Sequence, residues 1–217
     1  SGHNGSGKSM LLKSIKGLVQ PKSGTIVLEG RDLSHSPRVR NKEVGLVFQD
    51  ADTQIVGQTV YKDILFGLEN LGIDEREQQE RCLSVMKLMG LEQKKEQRPR
   101  TLSGGEKRRL AIAGTLAIEP RMLLLDEPFA NLDYPGIQNV LQALLTLKDA
   151  GHTLLVVSHD ADKLLSHMDH VLIMEKGHIV WDGGPHEARE KLPEMNVYLP
   201  TYQGIPLPLE ELTCLKP

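Results

Sequence analysis

Cysteine is scarce: Cys82 and Cys214 are the only two in 217 residues. Lacking C-x-x-C spacing, they exclude a disulfide framework and a thiolate metal site, and read as reduced structural thiols of a reducing compartment. No apolar run approaches the ~18 residues that a membrane-spanning helix needs, so any membrane contact must come through a partner. Strong charge of either sign is missing as well. The 26 Lys and Arg against 29 Asp and Glu leave a net charge of −3, which gives no general pull toward nucleic acid or anionic lipid. Internal repeats, low-complexity tracts and heptad arrays do not occur. What remains, 39% hydrophobic and 25% charged residues, is the composition of a globular chain able to bury a core, as one large domain or a domain with a subdomain.

The first nine residues organise the rest. Gly2-His3-Asn4-Gly5-Ser6-Gly7-Lys8-Ser9 fits the phosphate-loop pattern G-x-x-x-x-G-K-[ST]. Its glycines let the backbone close on a polyphosphate where a Cβ would collide, and turn N–H groups inward. Lys8 is placed for the β- and γ-phosphates, and the Ser9 hydroxyl for Mg²⁺. Met10 opens a helical pattern to Val19, with Leu11, Ile15, Leu18 and Val19 as its stripe, so the loop sits at a helix N-terminus. A phosphate loop joins a buried strand to a helix. No strand can precede Ser1, so the expectation is that N-terminal strands lie outside the sequence as given.

Downstream, Thr25–Leu28 reads as a short strand ended by Glu29-Gly30, Ser34–Lys42 as a loop, and Val44–Phe48 as a strand buried on both faces. Thr59–Leu71 and Asp74–Gly90 read as helices, the second burying Cys82, Met86 and Met89 beside Leu83 and Val85. Lys94–Arg100 is a basic, solvated loop. The alternation then resumes: helix Ser103–Ile118, strand Met122–Leu125, helix Tyr134–Ala150 with Ile137, Val140, Leu141, Leu144 and Leu145 as its stripe, strand Thr153–Val157, helix Ala161–Met168, and a hairpin of Val171–Met174 with His178–Trp181. The predicted fold is α/β, a mostly parallel sheet covered by helices. It forms one domain over 1–217, with core segments 1–50 and 102–192, a helical insert at 51–101 and an irregular tail at 193–217.

Two further motifs carry chemistry. The apolar strand ending in Asp126-Glu127 delivers one acid for Mg²⁺ through its water shell and a second to orient or deprotonate an attacking water. Leu102-Ser103-Gly104-Gly105-Glu106 presents a Ser hydroxyl and backbone N–H groups at a helix start, an anion site or an ordinary Ser cap. A second anion site makes sense if it covers a nucleotide held by another subunit.

The phosphate loop, Gln49 after a strand, Leu-Ser-Gly-Gly-Glu, Asp126-Glu127, Asn131-Leu132-Asp133 and Val157-Ser158-His159 occur in the order of ABC-type ATPases, which the chain resembles to about Gly183. The resemblance implies a P-loop NTPase core with an inserted helical subdomain, and a head-to-tail dimer, homo- or heteromeric, with two ATP molecules at its interface. The residues it implies for binding nucleotide are Gly2 to Met10 together with Ser103, Gly104, Gly105, Glu106 and Asp133. Ser9, Gln49 and Asp126 are implied as metal-facing, and Glu127, Gln49 and His159 as catalytic. Gln49 looks like the residue sensing magnesium, water and the membrane partner. Asp133 looks like the aspartate that crosses the dimer interface, and His159 like the switch histidine at the γ-phosphate. His167 and His170 match no motif.

The stretch Phe48-Gln49-Asp50-Ala51-Asp52-Thr53-Gln54, continuing through Thr59–Ile64 to Phe66-Gly67, is similar to the ATPase subunits of energy-coupling-factor transporters, the cobalt, nickel and vitamin uptake systems of prokaryotes. That implies a subunit on the cytoplasmic face of the membrane, powering uptake through an integral membrane partner, with no nucleic acid involved. The alternatives are a soluble ABC ATPase acting on nucleic acid or ribosomes, and a non-catalytic regulatory cassette. Three departures stand out. Met10 replaces a hydroxyl residue, Glu106 stands where glutamine is commoner, and the family's adenine-stacking aromatic falls upstream of Ser1. Stacking of that kind is worth roughly 1–3 kcal/mol, so the expectation is weak ATP binding by residues 1–217 alone.

Overall fold

The computed structural model describes residues 1–2, 5–159, 161–195, 197–203 and 205–215. They divide into two compact units, Leu12–Val156 and Ser1–Leu11 with Val157–Pro217. Among the described residues no helix is long and apolar enough to cross a membrane.

Helix α1 (Lys8–Lys16) begins inside the phosphate loop and ends where Gly17 takes φ +90. A Cβ at Gly17 would lie 2.8 Å from the Pro37 carbonyl. The helix therefore stops short of the expected Val19, and Leu12 is its buried hydrophobic residue while Leu18 is exposed. Strands β1 (Val27–Leu28) and β2 (Arg31–Asp32) form a small antiparallel hairpin. Glu29 and Gly30 both take positive φ in its turn, the geometry a two-residue hairpin loop demands. The segment expected to be a loop instead forms α2 (Pro37–Glu43), with Pro37 in its first turn. A buried cation decides this. Arg40 is fully buried and donates to the carbonyls of Leu33 and Ser34 and to Gln20 Oε1, which a solvated loop would not supply.

Strand β3 (Val44–Val47) is buried at every position and pairs in parallel with β4 (Met122–Asp126). Between them, residues 51–101 carry α3 (Val60–Asn70), α4 (Glu75–Leu88) and short 3-10 turns, with no strand. Thr59 and Asp74 cap the two helices through their side chains. Val60, Ile64 and Leu68 are the buried stripe of α3, and Cys82, Val85 and Met86 that of α4, followed by buried Met89. Leu83, expected beside them, is exposed. Burial pushes the Cys82 thiol up to about 11, leaving it protonated and inert. The basic stretch has a structural task. Its carbonyls at Gln97 and Lys95 accept the Val60 and Tyr61 N–H groups, the orphan donors of a helix start, and Lys95 Nζ stands 4.5 Å over the Tyr61 ring.

The loop before α3 is anchored by Asp63. Its Oδ1 accepts the Val56 and Gly57 N–H groups at 2.7 Å each, and the side chain is buried. Burial raises the Asp63 carboxyl above its ordinary 3.8, against the pull of those two N–H groups. Folding thus favours its protonated form. The stability it contributes is full below that ordinary value and is lost as pH rises through the higher folded value. Asn keeps an acceptor oxygen without a charge. The melting temperature of Asp63→Asn relative to the parent should therefore rise as pH increases from about 4. A fall with increasing pH would show that the charge itself holds the loop.

Helix α5 (Gly104–Ala117) is buried on most of its circumference, including Leu110, Ile112, Ala113 and Leu116. Helix α6 (Tyr134–Asp149) buries Ile137, Val140, Leu141, Leu144 and Leu147, the last in place of the expected Leu145. Strand β5 (Thr153–Val157) completes the sheet in the order β3-β4-β5.

In the other unit, β6 (Val171–Glu175) and β7 (His178–Gly183) form the expected hairpin, turned by positive φ at Lys176 and Gly177. The helix expected over Ala161–Met168 is replaced by two 3-10 turns, Ala161–Lys163 and Leu165–His167. The Ser166 N–H, which a helix would have used internally, goes to the Leu212 carbonyl of the tail, and the His167 ring Nε2 lies 2.7 Å from Thr213 Oγ1. Helix α7 (Pro185–Glu194) was not expected. Beyond it, β8 (Thr201–Tyr202) and β9 (Ile205–Pro206) form a short hairpin. Val197, Leu199, Leu209 and Leu212 join Leu165, Ile173, Ala188 and Leu192 in one apolar cluster. His170 Nε2 pairs with Asp182 at 2.7 Å.

Candidate functional site

The phosphate loop is braced by the β6–β7 hairpin. The Ser1 nitrogen donates to the Leu172 carbonyl, Met174 N–H to the Ser1 carbonyl, and Gly177 N–H to the Ser6 carbonyl. Gly2, Gly5 and Gly7 take φ of +138, +80 and +97. Any Cβ at Gly2 would sit 2.1 Å from the Met174 carbonyl oxygen, so the glycine requirement there is steric as well as conformational. Lys8 is buried and folds back to donate to the Gly2 carbonyl at 2.6 Å, with Ser6 Oγ 3.5 Å away. Its ammonium is thereby held within the loop at the start of α1. Ser6 is buried, while Gly5, Ser9 and Met10 are exposed. His3 and Asn4 lie outside the described residues. His159 belongs to this unit and is exposed.

The second unit holds Gln49, Ser103 to Glu106, Asp126, Glu127 and Asp133. Parallel pairing of Val47 with Leu125 brings Gln49 and Asp126-Glu127 out at the same carboxyl edge of the sheet, where open α/β folds place their ligands. Asp126 is buried and its Oδ1 has no hydrogen-bond partner. An unmatched buried carboxylate oxygen is costly, and a cation satisfies it. Glu127 is also buried and takes φ +47. A left-handed backbone at a non-glycine residue costs energy and concentrates at functional sites.

Ser103 caps α5 in a capping box: its Oγ accepts the Glu106 N–H, and Glu106 Oε2 accepts the Ser103 N–H at 2.8 Å. The hydroxyl acts there as an acceptor, leaving its proton to donate outward. The Ser103 N–H, ahead of Lys94 at 3.3 Å, holds the Glu106 carboxyl below its usual range. The extra charge at Glu106 is therefore engaged within the cap. Ser103 and Gly104 are exposed; a Cβ at Gly105 would lie 3.1 Å from Gly136 Cα. Asp133 is exposed and caps α6 by accepting the Gly136 N–H at 3.0 Å.

Two residues to which motif reading gave no role shape this edge. Arg108 donates to the carbonyls of Phe48 and Gln49 at 2.6 Å each. Its burial pulls its pKa down, and Asp50 and Asp126 oppose that. Gln54 donates to the Leu46 carbonyl and Thr115 Oγ1 and accepts the Phe48 N–H. The run Lys107-Arg108-Arg109 looks solvated, but Arg108 stands four residues before Ile112, on a buried face, and that spacing was the available signal.

The ABC transporter family matches residues 1–130. The energy-coupling factor transporter ATP-binding protein EcfA1 of Latilactobacillus sakei is 39% identical over 227 residues, covering 98% of this chain and 80% of that protein. The corresponding protein EcfA2 of Methanospirillum hungatei is 40% identical over 190 residues, covering 86% of this chain and 48% of that protein. Among solved structures, cbiO1 of Clostridium perfringens, described as part of the ABC transporter complex cbiONQ, superposes with a TM-score of 0.79 at 33% identity, covering 89% of this chain and 82% of that one.

Proposed function

The chain belongs to the ABC transporter ATPase family, and we propose that it is the ATP-hydrolysing subunit of an energy-coupling-factor uptake system, working as a dimer beneath a membrane partner. The observation that carries this reading is the 39% identity running along 98% of the chain to an energy-coupling factor ATP-binding protein. ATP is the substrate. The positive-φ glycines and the Lys8 ammonium suit a polyphosphate, and the orphaned Asp126 Oδ1 suits a divalent cation. Ser9, Gln49 and Asp126 are the residues that would hold Mg²⁺, which when bound neutralises charge on phosphate oxygens.

Lys8 exchanges the Gly2 carbonyl for phosphate oxygens, and the N–H groups opening α1 face the same anion. Glu127 orients the attacking water and takes its proton as the water attacks the γ-phosphorus in line and ADP leaves. Ser103 donates its hydroxyl proton, and Gly104 and Gly105 their N–H groups, to the nucleotide of the opposite subunit. Asp133 lies at the subunit boundary, and His159 contacts the γ-phosphate.

The exposed Val56 and Phe66 support a partner surface over 50–66. Asp52 is on this surface, its carboxylate 2.7 Å from Lys107 and 65% exposed. Exposed pairs contribute roughly 0–1 kcal/mol, so Asp52→Lys should keep basal ATP turnover and lose stimulation by the membrane subunit. Asp63, in the same stretch, is buried under the loop and is not a docking charge. Co-purification with a polytopic membrane protein and ATP-driven uptake in vesicles test the assignment. Full turnover without any membrane partner, together with ribosome or nucleic-acid binding, would overturn it.

A further inference from the structure

Arg108 lies one turn into α5, past the Ser103 cap, and is 3% exposed. Burying a guanidinium is costly unless its donors are met. Here two of its nitrogens reach consecutive carbonyls, those of Phe48 and Gln49. The Phe48 N–H is taken by Gln54 Oε1, and Gln54 Nε2 reaches Thr115 Oγ1 on the same helix. The backbone leaving β3 is thus gripped at its N–H and at two carbonyls, both grips traced to α5. The Gln49 side chain is exposed, so it stays free to turn about a fixed backbone.

We propose that Arg108 is a positioning residue that ties the Gln49 backbone to the helix carrying Ser103, so that Gln49 and Ser103 move as one body. This rests on the roles assigned above to Gln49 and Ser103. A displacement of the loop after Gln49 is then not absorbed at that residue but passes into α5. The planar guanidinium suits the task because it presents two donors in a fixed fork to two carbonyls, whereas a lysine ammonium is a single point donor.

The test uses the full-length subunit with its membrane partner, comparing Arg108→Lys, Gln49→Ala and the double variant. Arg108→Gln serves as a second, uncharged probe of the same clamp. In nucleotide-free protein, Arg108→Lys should speed hydrogen exchange of the 48–50 amides by roughly tenfold, with exchange at the far end of α5 unchanged. In turnover, Arg108→Lys should lower kcat with little change in KM, and should add no further loss to Gln49→Ala. Unchanged exchange at 48–50 in both Arg108 variants would overturn the clamp. Losses that multiply in the double variant would overturn the claim that Arg108 acts through Gln49. A silent Gln49→Ala would overturn the role of Gln49 itself, a failure that the exchange measurement distinguishes from failure of the clamp.

Discussion

Glu127→Gln should lower ATP turnover by roughly 10²–10⁴ while ATP binding persists, the loss general-base removal produces. The substitution keeps the side chain's size and one acceptor oxygen but removes its ability to take a proton. Two features tie the effect to chemistry rather than folding. Glu127 follows β4 by one residue, beyond the last parallel pair with β3, so it stands at the sheet edge where Gln49 also emerges. Its φ of +47 is already strained, and glutamine meets the same backbone cost without new bulk. ATPase assays at saturating ATP, paired with nucleotide titration, separate turnover from binding. Near-normal turnover with normal binding would remove Glu127 from the mechanism.

A mixture of Ser103→Arg and Lys8→Ala subunits should hydrolyse ATP faster than either variant alone. Ser103→Arg places a long cation at an exposed helix start, and by removing the cap it costs about 0.5–2 kcal/mol. Lys8→Ala deletes the buried ammonium that lies 2.6 Å from the Gly2 carbonyl. If each ATP is held by one subunit's phosphate loop and the other's Ser103, the mixed dimer retains one site with both partners intact, and its second site carries both lesions. Activity is followed across mixing ratios, with dimer formation measured in parallel. Rates that stay on the line joining the two variants, in a mixture shown to form mixed dimers, would mean that no site is shared.

Chemistry at this site was legible because it depends on backbone conformation and local charge. Gly2, Gly5 and Gly7 are needed for positive φ, Ser103 with Glu106 for a capping box, and Asp126-Glu127 for acids at a strand end. Each is a short-range requirement met within a few residues. Strands β3 and β4 were readable for the same reason, since a strand buried on both faces must be apolar throughout.

Elsewhere the tertiary structure decided, wherever a polar group found its partner outside its own element. Ser36-Pro37 allows either a loop or a helix, and the Leu33, Ser34 and Gln20 acceptors around Arg40 select α2. The pattern over 161–168 suits a helix, but the Leu212 carbonyl takes the Ser166 N–H, the Thr213 hydroxyl meets the His167 ring, and the segment forms two 3-10 turns. Asp63 and Arg108 look like surface charges by composition. Burial makes one the anchor of the loop before α3 and the other a clamp on Gln49, because a polar group removed from water persists only where backbone groups outside its own helix satisfy it. Local sequence thus determined which groups can do chemistry. Hydrogen bonding between elements determined which charged residues are buried and what they hold in place.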